Sequence, residues 1–255
     1  MEATFDHIAK EYDNSFSFTT IGKAQRERVW KELLPLNKVK QCLEVNCGTG
    51  EDALKFAEMG IKISATDLSP VMVEVTNNKL KPFSYNAQIL DINNLKKESL
   101  EEKDLFFSNF GGLNCISPED WRPLSEKLMS GLPKGGRIVF VIMSKKCLWE
   151  RFYFLFRRKN KWNRNTNEPV MAHVEGEYIK TWYYSPKFIK NLFQGKVKYI
   201  KTKPIGFFIP PSYLEPFFKK RKWLLNGLLF LENIVSTFAI LADYADHYYI
   251  EFEKE

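Results

Sequence analysis

Glu44, Gly48, Gly50 and Asp67 are residues whose types and spacing suit the binding of a nucleoside-bearing ligand. They lie in Gln41–Asp67, which reads QCLEVNCGTGEDALKFAEMGIKISATD. An apolar run broken by an acid leads to a Gly-Thr-Gly turn, then a helical pattern, then a second apolar run ending on an acid. This pattern predicts strand, tight loop, helix, strand, the first βαβ unit of a doubly wound sheet. Glycine at 48 and 50 admits positive φ and close approach of a ligand to the backbone. The free N–H groups that open the following helix face that ligand. Asp67, about 20 residues past the loop, stands where a carboxylate grips two ribose hydroxyls. Glu51 and Asp52 occupy the first helical turn, and carboxylates there disfavour a pyrophosphate.

The spacing is Glu-x-Asn-x-Gly-x-Gly, not Gly-x-Gly-x-x-Gly. An acid at the strand end, two glycines and a ribose-binding acid suit a ligand with an ammonium, a sulfonium and a ribose, which is S-adenosylmethionine. On these residues the chain resembles the class I methyltransferases of small-molecule type (type 11/25-like), whose first motif runs acid-x-Gly-x-Gly-x-Gly. Asn46 stands where the first glycine usually does, so a slightly remodelled loop is expected. Other landmarks fall in order: Phe5–Asp13 (FDHIAKEYD) is similar to the opening of many such enzymes, and Leu132–Gly136 (LPKGG) precedes a strand at Arg137–Met143. The resemblance covers about Phe5–Met143 and implies a Rossmann-like seven-stranded α/β sheet of order 3-2-1-4-5-7-6. Strand seven would be antiparallel, with an N-terminal helical lid and an insertion after strand five.

The resemblance also implies roles. Tyr12 would sit near the methionine end of the cofactor, with Arg26 reaching its carboxylate. Glu44, Asn46, Cys47 and Gly48 would form the loop around it. Asp67 would hold the ribose, Leu68 and Ile92 would pack on adenine, and Asp91 would meet the exocyclic amine. Asn109 and Phe110 would border the transferring methyl group. The Asn109-Phe110-Gly111 sequence differs from the Asn/Asp-Pro-Pro-Tyr/Phe motif, which counts against amino methylation of DNA bases.

At 255 residues, 44% of them apolar, the chain fits one domain with a full core. The expected division is a lid over 1–36, a cofactor-binding half over 37–143 and a substrate-side half over 144–255, with an insertion at about 157–185. Cys42, Cys47, Cys115 and Cys147 form no C-x-x-C pair and the chain has three His, so zinc has little support. All four read as buried reduced thiols, and the acidic N-terminus does not read as a signal peptide, which points to the cytoplasm. The net charge of +7 gathers in Arg157–Arg164 and Lys219–Lys222. Solvated basic faces are the expectation. RNA or an anionic membrane surface is the alternative.

Aromatic residues crowd the C-terminal half. Val170–Tyr184 predicts a hairpin turning near Glu175-Gly176, Lys196–Lys203 a strand, and His247–Glu253 a final antiparallel strand. Trp223–Ala242 is apolar, but Asn226, Glu232 and Asn233 interrupt it, and a central Glu costs about 2–3 kcal/mol to insert in a bilayer. A helix covering the sheet or roofing a lipophilic pocket is expected there, with peripheral membrane contact through Lys219–Lys222 as a further option. The expected reaction is methyl transfer to a small apolar or aromatic acceptor, with a mostly apolar pocket under the hairpin and the Gly206–Leu214 loop. His173 and His247 are the candidate bases; a hydrogen-bonded structural role competes for each. The rivals are an RNA-directed methyltransferase, a cofactor-binding protein without turnover and, less favoured, a nicotinamide-dependent oxidoreductase.

Overall fold

The computed structural model describes residues 6–156, 164–174, 177–195 and 197–255, with the backbone alone for 154–156, 173, 174 and 177. Its strands are β1 (Gln41–Val45), β2 (Lys62–Asp67), β3 (Gln88–Ile89), β4 (Leu105–Ser108), β5 (Arg137–Met143), β6 (Val170–Val174), β7 (Glu177–Thr181), β8 (Val197–Ile205) and β9 (His247–Lys254). Its helices are α1 (Thr20–Leu33), α2 (Glu51–Glu58), α3 (Pro70–Leu80), α4 (Pro118–Gly131), α5 (Leu148–Phe156), α6 (Pro186–Leu192), α7 (Glu215–Phe218) and α8 (Lys222–Val235).

Seven strands form one sheet in the order β3-β2-β1-β4-β5-β9-β8, and β6 and β7 form a separate hairpin. The sheet is parallel through β5, whereas β9 runs antiparallel to both β5 and β8. With the hairpin set aside, this is the predicted order.

Period-2 alternation divides the core between the two faces of the sheet. From β5, Ile138, Phe140 and Ile142 pack with Trp121, Leu124 and Leu128 of α4 and Ile189 of α6. Val139 and Val141 point the other way, into a cluster with Trp30 of α1, Phe56 of α2 and Leu80 of α3. Three helices open on Ser-Pro: the hydroxyls of Ser69, Ser117 and Ser185 accept the N–H groups of Met72, Asp120 and Phe188, with proline in the first turn.

Glu232 has a part that its place in an apolar run does not announce. Its carboxylate is buried and accepts the N–H groups of Gly206, Phe207, Phe208 and Ile209 at 2.8, 3.3, 2.6 and 3.2 Å. It thereby clamps α8 to the loop that leaves β8.

Several expectations need correction. The third strand, at Gln88–Ile89, is only two residues long, because it is an exposed edge paired on one side. Cys115 is exposed and not a core thiol: the turn Gly112–Cys115 directs Leu113 and Asn114 inward instead. Arg164 is not part of a solvated face. It is buried, paired with Glu150 at 2.6 Å and Asp246 at 2.9 Å. The rest of that basic run, Phe5 and the hairpin turn at Glu175-Gly176 lie outside the described residues. Tyr184 packs in the core, its hydroxyl donating to the Ile116 carbonyl at 2.5 Å, rather than facing a pocket. Among the described residues no helix is long and apolar enough to cross a membrane.

Candidate active site

The loop after β1 is left-handed at Asn46 (φ 56°), Gly48 (φ 55°) and Gly50 (φ 78°). A Cβ on Gly50 would lie 2.6 Å from Thr76 Cγ2, so packing forbids one there. A Cβ on Gly48 would meet nothing within 4 Å. Open space before a left-handed backbone is the cradle that close approach of a ligand needs. Asn46 keeps the backbone path of a glycine, since asparagine tolerates the left-handed region. The accommodation is made opposite, where a Cβ on Gly112 would come within 2.3 Å of Asn46 Cβ.

Asp67 closes the loop from the end of β2. It accepts the Gly48 N–H at 2.8 Å and the Ser69 N–H at 2.9 Å, one on each oxygen. Each oxygen keeps a lone-pair site for a further donor. Burial raises the Asp67 pKa, and these backbone bonds only partly offset it. Leu68, the next residue, is exposed.

Asp52 is the hub beneath the loop. Its buried carboxylate takes an ion pair from Arg26, the Trp30 Nε1–H at 2.7 Å and the Asn109 Nδ2–H at 2.8 Å. Arg26 therefore points at Asp52, and its buried Nε has no hydrogen-bond partner. Lys79 bridges Asp13 and Glu51, each at 2.5 Å, and Thr49 donates to Asp13 at 2.6 Å, which ties the N-terminal segment down over the loop. Tyr12 sits in that segment, and burial pushes its phenol up to about 12, so it stays protonated at neutral pH.

Glu44 is the unresolved charge. It is 2% exposed and its Oε2 has no hydrogen-bond partner. Burial, then the neighbouring Asp52 charge, push its pKa well above the carboxylate range, with Arg26 opposing. An unpaired buried acceptor of this kind is costly and calls for a donor.

Phe110 marks the other end of the site, in a left-handed turn (φ 47°) past β4. Its ring touches Phe16 (5.3 Å between centroids), the Arg26 guanidinium (5.1 Å) and His247 (5.4 Å). His247 opens β9, its Nδ1 3.2 Å from Asp246 Oδ2. Burial works against ionised Asp246, but His247 and Arg164 outweigh it and hold the carboxyl well below its usual range.

The structure thus gathers Tyr12, Arg26, Glu44, Asn46, Gly48, Asp67, Asn109, Phe110 and His247 around one loop. It does not bring Cys47 there, since that thiol is buried against Thr76 and Gly48. Ile92 is likewise buried in the core, and Asp91 caps its short turn by accepting the Asn93 N–H at 2.9 Å. His173 pairs with Tyr178 through the hairpin backbone, and its side chain is outside the described set. Asp13, Phe16, Asp52, Lys79 and Asp246 are members that sequence reasoning missed. Asp52 carried a signal as an acid in the first helical turn, Asp13 as the end of the FDHIAKEYD segment, and Asp246 as an acid directly before a candidate base; Phe16 and Lys79 carried none.

The strand order and the loop define a class I methyltransferase fold. Residues 42–136 match a family model described as a methyltransferase domain. A demethylmenaquinone methyltransferase from Paenarthrobacter aurescens (strain TC1) is 25% identical over 152 residues, which span 58% of this chain and 58% of that protein. Among solved structures, the PH0226 protein from Pyrococcus horikoshii OT3 superposes with a TM-score of 0.61 at 13% identity, covering 96% of this chain and 99% of its own. Phosphoethanolamine N-methyltransferase 2 from Haemonchus contortus, solved with S-adenosyl-L-methionine, gives 0.62 at 15% identity, covering 98% of this chain and 57% of that one.

The chain has the class I methyltransferase fold, and residues 42–136 within it match the methyltransferase-domain family, whose methyl donor is S-adenosylmethionine. The residues fit that donor. Glu44 offers an unpaired carboxylate to a cationic amino group, Gly48 leaves open space, and Asp67 keeps lone pairs for hydroxyls.

Proposed function

We propose that the protein transfers the donor's methyl group to a small apolar or aromatic acceptor. The observation that carries this reading is Phe110, clasped between Phe16 of the N-terminal segment and His247 of β9 at the carboxyl edge of the sheet. A wall of rings with an imidazole beside it suits an apolar acceptor that is oriented by packing and gives up a proton to that imidazole. The similarity to a protein named for demethylmenaquinone supports the same reading.

When bound, the donor supplies a methyl group on a cationic sulfur, open to in-line displacement. The chain's own residues then have three tasks. Glu44, Asp67 and the Gly48 loop bind and orient. The N-terminal segment, tied down through Asp13, excludes water. His247, with Asp246 beside Nδ1, takes the proton of a hydroxyl or amine acceptor. Burial of Arg164 in ion pairs removes that cation from the first basic run, which weakens the RNA reading.

The test is incubation with methyl-labelled donor and separate panels of phenols, quinols, small amines and RNA. Label is expected in an apolar aromatic acceptor, with little dependence on salt. Label in RNA that falls steeply as salt rises would overturn the proposal.

A further inference from the structure

Helix α8 is apolar on two sides. Its inner side, with Leu225 buried and Leu224, Leu228 and Leu229 partly buried, packs on Ile21 and Ala24 of α1 and on Ile209. Its outer side should then be polar, as on a surface helix. Instead Trp223 is 75% exposed and Phe230 67%, with Ile234 on the same stripe at helical spacing. Phe238 and Ile240 (79% exposed) extend the stripe past the helix, and Phe217 of α7 precedes it. Scattered exposed apolar residues are ordinary, but a continuous row of large ones marks a surface that something covers.

Charge identifies the cover. Lys219, Lys220, Arg221 and Lys222 are consecutive and exposed at the start of the row. Between Ser212 and Leu241 the sequence has two acids, Glu215 and Glu232, and both are turned inward. Glu215 accepts the Thr20 and Ile21 N–H groups, each at 2.9 Å, and Glu232 holds the loop after β8. The outer face therefore presents four cations beside large apolar side chains and no carboxylate. A second copy of the same face would bring like charges together. The geometry points to a peripheral docking surface for an anionic phospholipid bilayer, with α8 lying in the headgroup plane and its basic start against the lipid phosphates. The helix is too short to span a membrane, so the contact is reversible. This inference is independent of which acceptor is methylated.

Flotation of the full chain with phosphatidylcholine vesicles, and with vesicles that also contain phosphatidylglycerol, tests it. Binding is expected only with phosphatidylglycerol, with weakening as salt rises and a blue shift of tryptophan emission. Each exposed cation contributes about fivefold to partitioning, so Lys219→Gln with Lys220→Gln should cost about 25-fold. Phe230→Ser with Ile234→Ser should abolish flotation. Both pairs are exposed, and unchanged thermal unfolding would confirm the fold. Trp223→Phe should keep flotation and lose most of the blue shift. A protein that stays at the bottom of the gradient with both vesicle types overturns the inference. So does concentration-dependent self-association that Phe230→Ser abolishes.

Discussion

Replacing Glu44 by glutamine should separate stability from ligand affinity. In the free protein this carboxylate is buried with an unpartnered oxygen, and burial together with Asp52 raises its pKa well above the usual range. A carboxylate whose pKa is raised by folding makes its full contribution to stability only below the unfolded value of about 4.3, and that contribution is lost as pH rises from there through the folded pKa. Glu44→Gln removes that liability, so the free variant should melt at or above the wild-type temperature near neutral pH and should lose this part of the pH dependence. Donor binding should respond oppositely. A cationic amino group against Oε2 favours ionised Glu44, so below its raised pKa binding must release a proton. Affinity should then weaken by up to about tenfold per pH unit as pH falls. Losing a charge-assisted hydrogen bond costs about 1.5–3 kcal/mol, which makes Glu44→Gln bind S-adenosylmethionine about 10- to 150-fold more weakly. Calorimetry in buffers of different ionisation enthalpy measures both affinity and proton release. Wild-type affinity and an unchanged pH slope in Glu44→Gln would refute the reasoning.

Three further outcomes are expected. Asp67→Ala should weaken donor binding about 30- to 1000-fold by calorimetry, because it removes the carboxylate proposed to hold the ribose and also unpins Gly48 and Ser69. Gly48→Val should abolish binding and lower the melting temperature through strain at φ 55°, while the circular dichroism below the melt stays near native, since the added side chain meets open space in the free protein and a ligand in the complex. Glu232→Ala should lower stability by about 3 kcal/mol or more in urea titrations, because up to four buried N–H groups lose their acceptor.

The sheet was legible because its determinants are local. Buried strands such as Arg137–Met143 read as apolar runs, and Gly-x-Gly and Ser-Pro punctuate the chain where the backbone must turn or a helix must start. The candidate site was legible where a motif carries it: Glu44, Gly48 and Asp67 lie together around the loop after β1. It was not legible where residues distant in sequence converge. The Asp52 hub draws on Arg26, Trp30 and Asn109 from three separate elements, and no spacing rule announces such a meeting. Position in a run misled in the same way. Glu232 reads as an interruption in an apolar helix and proves to be the acceptor for a loop. Arg164 ends a basic run and proves to be a buried partner of Asp246.

The ion pairs around the loop also explain why this fold would select a cationic donor over a dinucleotide. Arg26 is matched by Asp52, and Lys79 by Asp13 and Glu51. Among the described residues that leaves Glu44 and Asp67 with no cation, and both have raised pKa values because burial disfavours their charge. A phosphate held about 5 Å from an ionised carboxylate is repelled by about 3 kcal/mol at an effective dielectric of 20. Asp67 does not discriminate, since a ribose occurs in both kinds of ligand. Glu44 does: a pyrophosphate beside it would bind best with this acid protonated, and its affinity would fall as pH rises. A ligand with an ammonium reverses the sign, because it stabilises Glu44 in its charged form and gains affinity as pH rises through its titration, so the sign of the pH slope shows which ligand the site takes.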